Sequence, residues 1–214
     1  MPKVFIVYGG DSYARMFTQL GWEVVEYLES ADMVQFCGGA DVSPDLHGEH
    51  QHPATFSDRR RDLYEAEIYQ KALAKALPMA GICRGGQLLN VLNGGGLYQH
   101  VTGHAVRGTH AVFSSILEGS VQVTSTHHQM MIAGDGGFLE AWADNLSPTK
   151  ERCPNGFIIQ EENPVEPEVI FYEDTYSLCF HPHPEFFGAE ECKAYYFRCL
   201  ETYLGGRIPY SSDK

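Results

Sequence analysis

The tightest constraint in this chain is the stretch Pro78-Met79-Ala80-Gly81-Ile82-Cys83-Arg84-Gly85-Gly86-Gln87-Leu88-Leu89-Asn90. A short apolar run meets a cysteine set between two glycines and then turns helical. Gly81-x-Cys83-x-Gly85 is the cysteine version of a nucleophile elbow. In such a tight strand-to-helix turn the nucleophile is held in a strained conformation, and small neighbours let the backbone fold around it. The following helix, read over residues 87–92, begins almost at Cys83, so its N-terminal dipole and free N–H groups favour the thiolate, the form that attacks carbonyls. The same residues also suit a plain strand-turn-helix corner with a small buried cysteine.

The rest of the chain bounds the context of that turn. At 214 residues it is long enough to bury about 70% of the surface that its unfolded form exposes, and one α/β domain over residues 1–204 with a polar tail at 205–214 is expected. The six cysteines show no paired CxxC spacing, which points to reduced thiols in a cytosolic compartment, with the other five as packing residues. No apolar run reaches transmembrane length and the N-terminus starts directly as a strand, so a soluble cytoplasmic protein is expected. A formal charge of −13 repels DNA, RNA and anionic membranes alike. The one basic cluster, Arg59-Arg60-Arg61, reads as the first turn of an exposed helix.

Taken in order, residues 4–8 form a continuous apolar run followed by Gly9-Gly10-Asp11, which suits a buried parallel strand opening into a loop and helix. Residues 22–27 and 32–37 read as the next two strands. Gly38-Gly39 ends the second of them in a turn whose backbone N–H groups are free to face a developing negative charge. Residues 42–56 read as a surface loop holding His47, His50 and His52, whose spacing matches no zinc motif. Neither a metal nor a cofactor is expected. Ser57-Asp58 is placed to cap a helix over 59–76, with Leu63, Ala66, Ile68, Ala72, Leu73 and Ala76 as its apolar positions. Asn93-Gly94-Gly95-Gly96 stops the elbow helix.

Beyond Leu97 the regular alternation fades. Short strands are expected at 121–124 and 138–142, and Ser125-Thr126-His127-His128-Gln129 lies just past the first. Residues 145–167, with four prolines and many acids, read as a surface excursion with a strand at 157–159. Residues 177–180 restore a core strand, and Pro182 and Pro184 end it because they cannot donate to a ladder. Side chains two apart on an extended segment share a side, so His181, His183 and Glu185 are all available to one cleft. With Cys83 they supply a nucleophile, a base and a carboxylate that orients the base. A final amphipathic helix is expected over 189–204.

In this order the motifs resemble the class I glutamine amidotransferase superfamily, and within it the γ-glutamyl hydrolase-like branch that includes γ-glutamyl-γ-aminobutyrate hydrolase. The likeness runs through Gly38-Gly39-Ala40-Asp41-Val42-Ser43-Pro44, Arg61-Asp62, the elbow with its helix, Gly94-Gly95-Gly96-Leu97-Tyr98-Gln99, Ser125-Thr126-His127-His128-Gln129 and His183-Pro184-Glu185. It implies a flavodoxin-like three-layer α/β sandwich with a mostly parallel central sheet and helices on both faces. It further implies Cys83 as nucleophile, His183 as proton shuttle and Glu185 as its orienter. The N–H groups of Gly39 and Arg84 become the oxyanion hole, Gln87 a contact to the glutamyl group, and His128 a border of the substrate cleft. The chain departs from the family where Pro182 replaces the usual aromatic residue and where His181 offers a second imidazole. His183 keeps the His-Pro-Glu order; a register slip of two would make His181 the base.

The expected activity is cysteine-dependent hydrolysis of a γ-glutamyl amide through a thioester, acting on a small-molecule substrate. Two alternatives stand beside it: a glutaminase subunit feeding ammonia to a separate synthetase or ligase, and a binding module that has lost the chemistry.

Overall fold

The computed structural model describes residues 1–105, 108–144 and 146–209. Its strands are β1 (Lys3–Val7), β2 (Glu23–Val25), β3 (Met33–Phe36), β4 (Met79–Ile82), β5 (Gly96–Tyr98), β6 (His100–Val101) and β7 (Thr109–Ser114). They continue with β8 (Gly119–Thr124), β9 (Met130–Ile132), β10 (Gly137–Asp144), β11 (Lys150–Arg152), β12 (Ile159–Gln160), β13 (Val165–Tyr172) and β14 (Ser177–Phe180). Four α-helices are interleaved: α1 (Asp11–Thr18), α2 (Arg59–Ala74), α3 (Arg84–Leu92) and α4 (Glu190–Leu204).

Nine strands form one sheet in the order β2-β1-β3-β4-β14-β13-β10-β7-β8. From β2 to β14 every pairing is parallel, and from β14 to β8 every pairing is antiparallel. β3 and β4 are buried at every position because helices cover both faces. On one face Met16 and Phe17 of α1 and Tyr196, Cys199 and Leu200 of α4 pack in a single cluster. On the other, Ile68, Tyr69 and Ala72 of α2 meet Leu88, Leu89 and Val91 of α3. The three-layer α/β arrangement expected from the resemblance is therefore present.

Local differences from the sequence reading have identifiable causes. Asp58 caps α2 as expected, accepting from the N–H groups of Arg60 and Arg61. The buried face of α2, however, includes Asp62 and Glu65, while Leu63 and Leu73 are exposed. Apolar periodicity misplaced that face because two of its inward positions are carboxylates bound to a buried arginine. Residues 145–167 are also more than an excursion: β11, β12 and the start of β13 lie there, residue 145 being outside the described residues. The strand expected at 157–159 is the two-residue β12, and Phe157 and Ile158 lie outside it, exposed. β13 escaped notice because Glu166-Pro167-Glu168 interrupts its apolar run. Pro167 is accommodated opposite Trp142, where the ladder with β10 shifts register. Of the expected tail, Ile208 is buried and Arg207 lies over the Tyr176 ring; residues 210–214 are outside the described residues.

The elbow depends on close backbone approach. A Cβ on Gly85 would collide with the Phe36 carbonyl of β3, one on Gly81 with the Gly85 backbone, and one on Gly86 would stand 2.9 Å from the Phe180 nitrogen of β14. Replacing Gly85 by alanine is expected to destabilise the protein by about 1–3 kcal/mol through overpacking, read as a lower urea midpoint at unchanged slope. An unchanged midpoint would refute this account of the turn.

Candidate active site

Three parallel strands, β3, β4 and β14, end side by side, and the chain segments leaving them build the site, as is usual at the carboxyl edge of an open α/β sheet. Cys83 follows β4 with φ +52° and ψ −116°, a conformation that side chains rarely adopt. It is held there because its N–H donates to the Phe180 carbonyl at 2.8 Å and its carbonyl accepts from the Gln87 N–H at 2.9 Å. The first of these ties it to β14, the second to α3. The other five cysteines are buried and all six are free thiols; only Cys83 is half-buried, at the head of α3.

The segment after β14 carries His183, whose N–H donates to Thr124 Oγ1 at 2.6 Å. Its Nδ1 lies 2.6 Å from Glu185 Oε1, and its ring stacks on Phe186 at 4.4 Å. Burial disfavours the charged ring, but hydrogen bonds to Cys83 and Glu185 and their charges outweigh it, carrying the His183 pKa up to about 10. His181 is placed differently. It is fully buried, its ring stacks on His127 at 3.6 Å, and its Nε2 lies 2.9 Å from Gln87 Nε2. Burial, reinforced by His127, pushes its pKa well down. His183, not His181, is thus the imidazole set between Cys83 and a carboxylate, while Gln87 spends one amide nitrogen on His181.

The third segment, after β3, brings Gly38 and Gly39. A Cβ on Gly38 would lie 3.0 Å from the His183 ring and 3.7 Å from Cys83 Cβ, and any side chain on Gly39 (φ +153°) would run into Arg61. Gly39 and Arg84 both line a cleft of about 320 Å³ with Cys83 and His183. At its mouth His128 Nε2 lies 3.0 Å from Asp41 Oδ1, and this bond raises the His128 pKa. Every site residue expected from the sequence therefore borders this cleft or, in the case of Glu185, supports a residue that does.

Tyr13 was not marked by the sequence, and the side chains of Arg61 and Arg84 take places that it did not give them. Tyr13 of α1 accepts the Gly38 N–H at 3.0 Å, and burial together with the Glu185 carboxylate keeps its phenol protonated. Arg61 is no exposed surface charge: it donates to the Cys37 carbonyl at 2.8 Å and to Glu65 at 3.0 Å and sits over the Tyr8 ring. Arg84 points its guanidinium into α2, contacting Asp62 and Glu65, all three almost fully buried. Burial lowers the Arg84 pKa to about 10. The Arg61-Asp62 pair was the available signal for this clamp; nothing local marked Tyr13. Of the loop histidines, His52 lies 3.2 Å from Glu151 and stacks on His100.

A raised folded-state pKa means that the His183 proton stabilises the fold fully below the unfolded value of 6.5 and that this contribution is lost as pH climbs through about 10. An NMR titration of the His183 ring is expected to give a midpoint at about 10 that falls in Glu185→Gln. A midpoint at or below 6.5 in the unmodified protein would contradict the geometry.

Comparison with known proteins bears on this arrangement. Residues 16–146 match the sequence model of the Peptidase C26 family, a span that includes Cys83 but stops before His183 and Glu185. Over 135 residues the chain is 33% identical to the Lactococcus lactis subsp. cremoris protein named "Putative glutamine amidotransferase-like protein YvdE homolog", covering 58% of this chain and 69% of that one. It is 43% identical over 77 residues to protein NtpR of Enterococcus hirae, covering 36% of this chain and only 32% of that relative's length. Among solved structures, one described as a "putative gmp synthase subunit a protein" from Thermoplasma acidophilum matches with a TM-score of 0.64 over 97% of this chain and 96% of its own, at 16% identity. That likeness concerns the fold alone. Since the family model spans more than half of the sequence, the chain belongs to the Peptidase C26 family.

Proposed function

We propose that this protein hydrolyses a γ-glutamyl amide through a thioester on Cys83. The observation that carries the reading is Cys83 strained at the head of α3, in contact with a His183 that is itself bonded to Glu185 at 2.6 Å, all at the floor of a cleft. Cys83 Sγ attacks the amide carbonyl carbon, and the resulting oxyanion is met by the N–H groups of Gly39 and Arg84. The C–N bond breaks as His183 gives its proton to the departing amine. Water then attacks the thioester while His183 takes its proton, releasing the γ-carboxylate and the thiol. Glu185 holds the ring through Nδ1 and balances its charge throughout.

The cleft supports the glutamyl half of this substrate. Asp41 offers a carboxylate acceptor and His128, whose pKa that carboxylate raises, an imidazole donor along the cleft, the complement of an α-ammonium and an α-carboxylate, and Gln87 lines the same cleft. A cleft of about 320 Å³ suits a small molecule rather than a protein chain. A second reading, a glutaminase that passes ammonia to a separate synthetase, is favoured by Phe186 and Phe187, which are exposed beside Glu185 where a partner would contact the site.

Incubation with a slow γ-glutamyl substrate is expected to leave one acyl adduct on Cys83 by intact-mass spectrometry, with none in Cys83→Ala. Turnover should be abolished in that variant, and normal turnover there would end the proposal. His128→Ala should raise KM about tenfold with little change in kcat, since it removes a binding contact and leaves the reacting groups in place. Glutaminase activity that appears only when a co-purifying protein is added would instead select the second reading.

A further inference from the structure

Behind the cleft, Glu168 of β13 is fully buried, and three imidazole nitrogens converge on its Oε1. His110 Nε2 lies at 2.9 Å, His104 Nδ1 at 3.2 Å and His127 Nε2 at 3.2 Å. The histidines come from β7, from the loop after β6 and from the loop after β8, so no sequence spacing announces them. Donors held about 2.0–2.2 Å from a tetrahedral zinc-class ion lie about 3.3 Å from one another. The separations of the imidazole nitrogens from Glu168 Oε1 match that spacing to within a few tenths of an ångström. Donor atoms of His104, His110 and Glu168 all fall within 4.8 Å of each other.

Two observations favour a metal ion over a purely hydrogen-bonded cluster. First, His104 gives its Nε2 to Glu166 at 2.8 Å, and Glu166 is in turn fixed by Lys150 Nζ at 2.7 Å and by the Ser147 N–H at 2.8 Å. An outer carboxylate of this kind orients a metal-bound histidine and turns its other nitrogen inward. Second, Glu168 Oε2 is buried without a hydrogen-bond partner.

We propose that His104, His110 and Glu168 hold one divalent transition-metal ion of the zinc class. Two imidazoles and a carboxylate with no thiolate suit zinc or cobalt(II), solvent completing the coordination. Such an ion ties β13 and β7 to the loop after β6 that carries His104. This site is independent of the chemistry at Cys83.

The test uses the chain with Cys83→Ala, so that the reactive thiol cannot be the ligand. After chelator treatment and dialysis against Zn²⁺, one equivalent is expected by elemental analysis. Co²⁺ should produce visible d–d bands of a tetrahedral site without thiolate charge-transfer absorption. Binding should drop at least tenfold in His110→Ala and in Glu168→Gln and persist in His50→Ala. X-ray absorption of the zinc form, which needs no further substitution, should show a nitrogen and oxygen shell with imidazole outer scattering. The proposal is overturned if no ion is retained, if both substitutions leave binding unchanged, or if the absorption spectrum shows sulfur or solvent ligands alone.

Discussion

Everything at this site depends on one backbone constraint, the left-handed turn at Cys83. β4 runs straight into α3 without a connecting loop, and the reversal is absorbed in a single residue at φ +52°. Such a conformation persists only where the surroundings over-determine it. Here they do so from both sides: β3 presses on Gly85, β14 approaches Gly86, and the Cys83 N–H completes the ladder to Phe180. The thiol is consequently fixed at the end of a rigid strand and at the positive end of a helix, with no conformational search left to make.

The second layer of support is electrostatic. α2 places Asp62 and Glu65 against Arg84, while Asp62 also accepts the Ser43 N–H at 3.0 Å and Arg61 accompanies the Cys37 carbonyl. One helix thereby holds Arg84, the residue after Cys83, and both ends of the glycine turn that borders the cleft. Buried charges of this kind add little net stability, because each loses its hydration on folding, but removal of one partner is costly. Their effect is to make the relative position of α2, α3 and the turn after β3 nearly all-or-none.

How much of this was legible in the sequence varied with the range of the signal. The elbow could be read because its requirement is local: glycines on both sides of a cysteine between an apolar run and a helix. The pairing of His183 with Glu185 was legible for the same reason, being two residues apart on an extended segment. The inward carboxylates of α2 and of β13 were not, since an acid at a core position breaks the apolar periodicity by which buried faces are recognised. Glu166 and Glu168 became interior residues only because Lys150, His104, His110 and His127 arrive from elsewhere to meet them.

The sequence by itself determined the strand-to-helix turn at Cys83, because it is written in short-range spacing, and its ordered motifs carried a family resemblance that implied the α/β architecture and the residues bordering the cleft. The resemblance favoured His183 on its His-Pro-Glu order, and the tertiary structure supplied the physical distinction. His181 and His183 share one extended segment, and the stacking of His127 on the first and the approach of Glu185 to the second set them apart. It alone also gathered three distant histidines around Glu168, because that convergence depends on how β7, β8 and β13 pack and on no pattern along the chain.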